Sequence, residues 1–330
     1  MFGLSPALTI FVVTALVFDF FNGFNDSANS VATIISSRAM APRKALLLSA
    51  VAHFSGPFLF GVAVATTIGH EVLQDSATTV AVAWAALFGA IGWDIFAWLF
   101  GIPSSSSHAL IGGLLGAGIT GYGWGAVRVE GVTKVLLVLF TSPVIGLIGG
   151  FLLMKLILFL TRGASPRVNN FFKRAQALTT TALALSHGAN DAQKTMGIIA
   201  LALFASHTIE TFYVPTWVIA ACATSIALGT AIGGWSIIKT LGGKFYKIRP
   251  VHAFTSQLAS ASIILGAALI GGPVSTSHIV STTILGAGAG DRVNKVRWGV
   301  MKHIVIAWFL TIPASGVVAS IAYLFIRGRI

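Results

Sequence analysis

Charge is what this sequence has least of: 9% of its 330 residues are Asp, Glu, Lys or Arg, against roughly 25% in soluble domains. So few charged groups exclude an ordinary water-soluble enzyme or binding domain. Cysteine is nearly absent too. Cys222 stands alone, which rules out an internal disulfide and argues against a cysteine-built metal site. Acidic residues are scarce, nine against 21 Lys and Arg, for a net charge of +12. That excess does not read as a nucleic-acid surface, because 15 of the 21 fall in four connectors, Arg38 to Lys44, Arg162 to Arg174, Lys239 to Arg249 and Arg292 to Lys302. Basic connectors between apolar runs are the mark of cytoplasmic loops. The opening MFGLSPALTI lacks the basic n-region of a cleaved signal peptide, so the first span is expected to stay in the mature protein. No polar tract is long enough for a separate soluble domain.

What is present is apolar: 55% hydrophobic residues, a mean hydropathy of +0.88 and 36 glycines. Runs long enough to cross a bilayer, about 20 residues each, recur from end to end, and glycine suits close helix packing in lipid. The expected class is an all-α polytopic membrane protein in the plasma (inner) membrane.

The chain also repeats itself. GFNDSANS at Gly23 returns as GANDAQKT at Gly188, an offset of 165. GIPSSSSHALIGGLLGAG at Gly101 returns as GGPVSTSHIVSTTILGAG at Gly271 with nine of eighteen positions identical. Placing the basic connectors inside, and those carrying Glu71 with Asp75, Glu130 and Glu210 outside, gives about five crossings per half. The expected units are residues 1–165 and 166–330, joined as a single transport unit, with both termini outside. An odd number of crossings inverts the second half relative to the first, a design of many secondary transporters. Arg327 and Arg329 fall on the wrong side of this scheme. The segments from His108 and His278 are short and glycine-rich, which predicts broken helices or Ser-rich re-entrant hairpins.

Polarity is concentrated in the repeated segments. Asp19, Asn22, Asp26, Asn29 and Thr33 follow one another at three- and four-residue spacing, so they share one helix face. His187, Asp191 and Lys194 occupy the equivalents of Asn22, Asp26 and Asn29. A charge at the bilayer centre costs about 2.5 to 3.5 kcal/mol, so these carboxylates must bind cations, pair with Lys194, hydrogen bond or take up protons. Helix-to-helix adhesion explains Asn22 alone; the duplicated pairs Asn25-Asp26 and Asn190-Asp191 point to function. Asp94 has no counterpart in the other half.

Each hairpin carries Pro, then hydroxyls, then His. Helix starts offer unpaired N–H groups and a positive dipole end, and hydroxyls beside them suit a tetrahedral oxyanion. A cap needs one hydroxyl, whereas Ser105, Ser106, Ser107, Ser275, Thr276 and Ser277 supply three in each half. These six are the candidate phosphate-binding residues. His108 and His278 are expected to orient them by hydrogen bonds, since no metal-ligand company surrounds either. An intramembrane serine protease is excluded: no GxSxG elbow is present, and adjacent Ser107 and His108 cannot face each other as nucleophile and base.

Taken together, GFNDSANSVAT, SHGANDAQKTMG, GIPSSSSHALIGG and GGPVSTSHIV resemble the inorganic phosphate transporter family over nearly the whole chain. The resemblance implies a non-enzymatic inverted-repeat symporter that imports phosphate with a cation and needs no cofactor or resident metal. It implies cation or proton coupling at Asp26, Asn25, Asn29, Asp191, Asn190 and Lys194, supported by Asp19, Asn22, His108, His278 and His187. Sodium-coupled members carry Asn-Asp-x-Ala-Asn-Ala in both repeats; here Gln193 and Lys194 stand in the second. That variant looks like the bacterial low-affinity, proton-coupled branch, which accepts metal-phosphate. Proton coupling is the expectation, with sodium coupling, a sulfate or other oxyanion permease and a passive channel as alternatives. The expected partners are phosphate or metal-phosphate, the bilayer and a second copy of the chain, with no nucleic acid.

Overall fold

The structure is a computed structural model that describes residues 4–100, 105–233, 238 and 246–329. Its helices are α1 Pro6–Ser36, α2 Pro42–Phe60, α3 Ala63–Thr66, α4 Val80–Phe100, α5 Ser106–Tyr122, α6 Val129–Leu160, α7 Val168–Ala205, α8 Thr216–Ile232, α9 Pro250–Leu269, α10 Thr276–Arg292 and α11 Gly299–Ile326. Among the described residues no strand forms, and one isolated bridge joins Leu73 to Val127. A bilayer offers the backbone no hydrogen-bond partner, so apolar runs close their own bonds as helices. Proline begins α1, α2 and α9, where its missing N–H has no intrahelical role.

Among the described residues five helices are long and apolar enough to cross a membrane: α1, α4, α6, α9 and α11. A sixth span results if α2 and the following Ala63–Glu71 segment count as one; the two meet at a 73° bend. The break falls at Gly61, whose φ of 78° is left-handed, four residues after Pro57. This break is not among the sequence expectations, which put discontinuities at the serine hairpins alone. The remaining helices depart from the lipid-span pattern for separate reasons. α5, α8 and α10 have 17 residues each. α7 has 38, and every residue from Ser186 to Leu203 is buried by protein, so it need not be apolar.

The elements pack reciprocally: α2 lies along α7 and α8 along α1, while α6 lies along α10 and α11 along α5. The signature glycines permit two of these close approaches. A Cβ at Gly23 would run into the Ile226 carbonyl of α8, and one at Gly188 into the His53 carbonyl of α2. Backbone cannot swing aside as a side chain can. Gly188→Ala should therefore destabilise the protein by about 1–3 kcal/mol or more, seen as a lower melting temperature in detergent.

α9 is laced to the ends of α1 and α7 by a polar seam. Gln257 donates to Thr33 Oγ1 at 2.8 Å and accepts from Thr179 at 2.6 Å. One turn away, Gln176 accepts from Ser37 at 2.6 Å and donates to the Pro250 carbonyl at 3.2 Å. α4 meets α1 through apolar groups, with Trp84 edge-on to Phe11 at 5.0 Å between ring centroids.

Candidate functional site

The helical spacing of the first signature brings one face of α1 inward. Asp19, Asp26, Asn29 and Thr33 are buried, and Asn22 is half-buried. α7 presents His187, Asn190, Asp191, Gln193 and Lys194, all buried. The Lys194 ammonium lies 2.5 Å from Asp191 Oδ1, one helical turn apart, with both side chains 1% exposed. His187 Nδ1 lies 3.7 Å from Asp191 Oδ2. The two helices touch at Asp19, whose Oδ1 accepts from Thr195 at 2.9 Å.

The serine hairpins meet this layer from the side. Thr276 donates to Asp191 at 3.1 Å to Oδ2 and 3.3 Å to Oδ1. Ser277 donates to Asp26 Oδ1 at 2.9 Å and accepts from Asn29 Nδ2 at 3.0 Å, while the same amide reaches Asp26 Oδ1 at 2.7 Å. Ser107 donates to the Val274 carbonyl at 2.6 Å, tying one hairpin to the other, and the rings of His108 and His278 stand 5.4 Å apart. Ser106 is half-buried beside them.

The structure places members of the repeated motifs in different surroundings. Asn25 is exposed, not gathered with its motif neighbour Asp26, because consecutive helical residues point about 100° apart. Asn190 is gathered: it holds the second hairpin, donating to the Gly272 carbonyl at 3.2 Å and accepting from the Val274 N–H at 3.3 Å. Ser105 and Ser275 act as ordinary helix caps, each accepting from the N–H three residues on. Pro273 precedes the Ser275 cap of α10, and Pro103 lies outside the described residues. His108 does orient a serine, with Nδ1 at 2.8 Å from Ser105 Oγ. Neither ring nitrogen of His278 has a partner among the described residues.

His53 and the contacts of Gln193 were not among the sequence expectations. His53 of α2 bridges Ser30 at 3.2 Å and Thr230 at 2.6 Å and stacks on His187 with ring centroids 5.8 Å apart. Gln193, one of the two departures from the repeated motif, accepts from the Val64 and Ala65 N–H groups at 2.8 and 3.2 Å. It thereby caps α3 just past the break at Gly61. The signal for His53 was its isolation in an apolar helix; nothing local marked its partners.

Comparison with known proteins decides the family. The model of the phosphate transporter family matches residues 22–319. The chain belongs to the phosphate transporter family. A Bacillus subtilis (strain 168) protein named as a probable low-affinity inorganic phosphate transporter is 44% identical over 325 residues, covering 96% of each chain. One from Rhizobium meliloti (strain 1021) with the same name is 42% identical, again over 96% of both. Among solved structures, one titled as the sodium-dependent phosphate transporter aligns with a TM-score of 0.90 at 25% identity, covering 98% of this chain and 99% of its own. This phosphate transporter is thus a multi-pass membrane protein and not an enzyme.

For a phosphate transporter the charge of this layer is the central difficulty. Asp19, Asp26 and Asp191 oppose one Lys194, so full ionisation leaves −2 among the buried charged residues described. A phosphate anion entering such a place meets repulsion in a low-dielectric surround. Among the described residues no cluster of three or more His, Cys, Asp or Glu could hold a metal ion.

Proposed function

We propose that this phosphate transporter is a secondary symporter. It imports inorganic phosphate, free or as a neutral metal-phosphate complex, together with protons across the plasma membrane. Two inverted halves, residues 1–165 and 166–330, rock about a shared site in a homodimer whose chain termini lie outside. Phosphate is held by hydroxyls of the two hairpins, and coupling resides in the carboxylates of α1 and α7.

One observation carries this reading: two of the candidate phosphate donors are already given to carboxylates, Thr276 to Asp191 and Ser277 to Asp26. An ionised carboxylate competes with phosphate for the same hydroxyl hydrogens. When a cation or proton lowers the negative charge of the carboxylate layer, phosphate competes better for those hydroxyls, and the repulsion falls as well. Cation and phosphate therefore favour each other's binding, as a symporter requires. The need for coupling is quantitative. Importing one negative charge against 100 mV costs about 2.3 kcal/mol, and each tenfold accumulation adds about 1.4 kcal/mol.

Lys194 supports protons over sodium, because its ammonium already occupies the space beside Asp191. A second reading, sodium coupling, draws on the name of the similar solved structure. Uptake into proteoliposomes with pH, sodium and voltage gradients imposed one at a time separates the two. The expected result is concentration of labelled phosphate under an inward proton gradient without sodium. Accumulation under a sodium gradient alone would replace protons by sodium, and failure to concentrate at all would mean a passive pore. Competition by excess sulfate would reveal a broader oxyanion permease.

A further inference from the structure

Asp19 sits two turns before Asp26 on the same face of α1 and is 0% exposed. Its Oδ1 accepts from Thr195, but its Oδ2 has no partner among the described residues. That is unlike the other two carboxylates, since Asp191 holds Lys194 and Thr276, and Asp26 holds Asn29 and Ser277. It is also unmirrored: 165 positions on, the second half has Ala184.

An ionised carboxylate with an unbonded oxygen, sealed from water, costs several kcal/mol even after relaxation. A proton on that oxygen removes the charge and leaves one buried O–H donor, a smaller cost than an unpaired buried charge. Sodium fits worse, since hard cations gather several oxygens, and Thr195 Oγ1 is the one described group that bonds this carboxyl. The charged and titratable groups around it are few. α7 presents Asp191 and Lys194, which act on Asp19 electrostatically, and α8 presents Cys222, on which Asp19 acts. α1 itself carries Asp26, α2 offers His53 four residues beyond it at Ser30, and the acid of α4 is Asp94.

We propose that Asp19 Oδ2 is the site of the co-transported proton. The assignment rests on the proton-coupled reading above and deepens it. Thr195 directly follows Lys194, so the bond that holds Asp19 belongs to the helix turn whose Asp191 holds Thr276. Rocking of α7 against α1 changes what Asp19 faces. One proton then enters on Oδ2 from outside with phosphate bound, and leaves to the inside when phosphate departs. Because the position is single, it carries one proton per cycle.

Wild type, Asp19→Asn and Asp19→Glu in proteoliposomes test this, with three readouts: phosphate–phosphate exchange at equal pH, accumulation under an inward proton gradient, and lumenal acidification reported by a trapped pH dye. Asp19→Asn should still exchange phosphate, while phosphate-dependent acidification vanishes and proton-driven accumulation falls about tenfold or more. Asp19→Glu should restore both. Asp19→Asn that acidifies the lumen like wild type would overturn the assignment, as would loss of exchange together with accumulation in a folded variant, which would mark a structural role. If wild type itself moves no protons with phosphate, the proton-coupled reading fails first, an outcome distinct from either.

Discussion

Lys194→Met should abolish phosphate uptake while Asp191 remains, because the substitution strands a fully buried carboxylate 2.5 Å from where its ammonium lay. Removing one partner of a buried pair costs about 3–5 kcal/mol, and the charge of the described buried residues moves from −2 to −3. Both effects oppose an incoming anion. Asp191→Asn should fail in the opposite way, leaving a cation that traps phosphate or destabilises the fold, with proton-driven accumulation lost. The double variant Asp191→Asn/Lys194→Met removes both charges and should recover thermal stability without recovering transport. Melting temperature and uptake measured on the same three preparations check this. Transport by the double variant near the wild-type rate would show the pair to be purely structural.

Ser277→Ala should raise the phosphate KM about ten- to a hundredfold. Its hydroxyl joins Asp26 to Asn29, and hydrogen bonds to charged groups are worth about 1.5–3 kcal/mol. It should also weaken the dependence of phosphate binding on the driving cation, since the hydroxyl is the group for which carboxylate and phosphate compete. Ser275→Ala, two residues earlier, is the informative comparison. That hydroxyl accepts the His278 N–H, so its loss should cost about 1 kcal/mol of stability and leave the cation dependence unchanged. Equal effects of the two variants on cation dependence would remove Ser277 from the coupling scheme.

How far the fold could be read from residues depended on what each residue's spacing encodes. The inward face of α1 follows from three- and four-residue steps, and Asp19, Asp26, Asn29 and Thr33 are all buried as that rule requires. The same rule should have separated Asn25 from Asp26. The repeated motif suggested a shared role, yet Asn190 clamps a hairpin loop and Asn25 is exposed. Hydroxyls in the first helical turns were legible as a group, but which of them caps and which reaches a carboxylate depends on where α1 and α7 pass. Thr276 and Asp191 are 85 positions apart in the chain, and Ser277 and Asp26 are 251 apart. The polar seam of Gln176 and Gln257 was not legible at all. Nothing near either residue marks it, and one partner of each, Ser37 for Gln176 and Thr33 for Gln257, comes from the other half. The bend after α2 had a signal in Pro57 and Gly61, though proline inside α6 and α11 produces no such break.

The internal commitment of Thr276 and Ser277 has a consequence for ions that are not cargo. With those hydrogens turned toward Asp191 and Asp26, chloride reaching this layer would meet net negative charge and few free donors. A lone halide, unable to recruit a neutralising companion through shared hydroxyls, pays desolvation without compensation. The expected result is low chloride leakage through the protein in proteoliposomes, measured as chloride flux without phosphate.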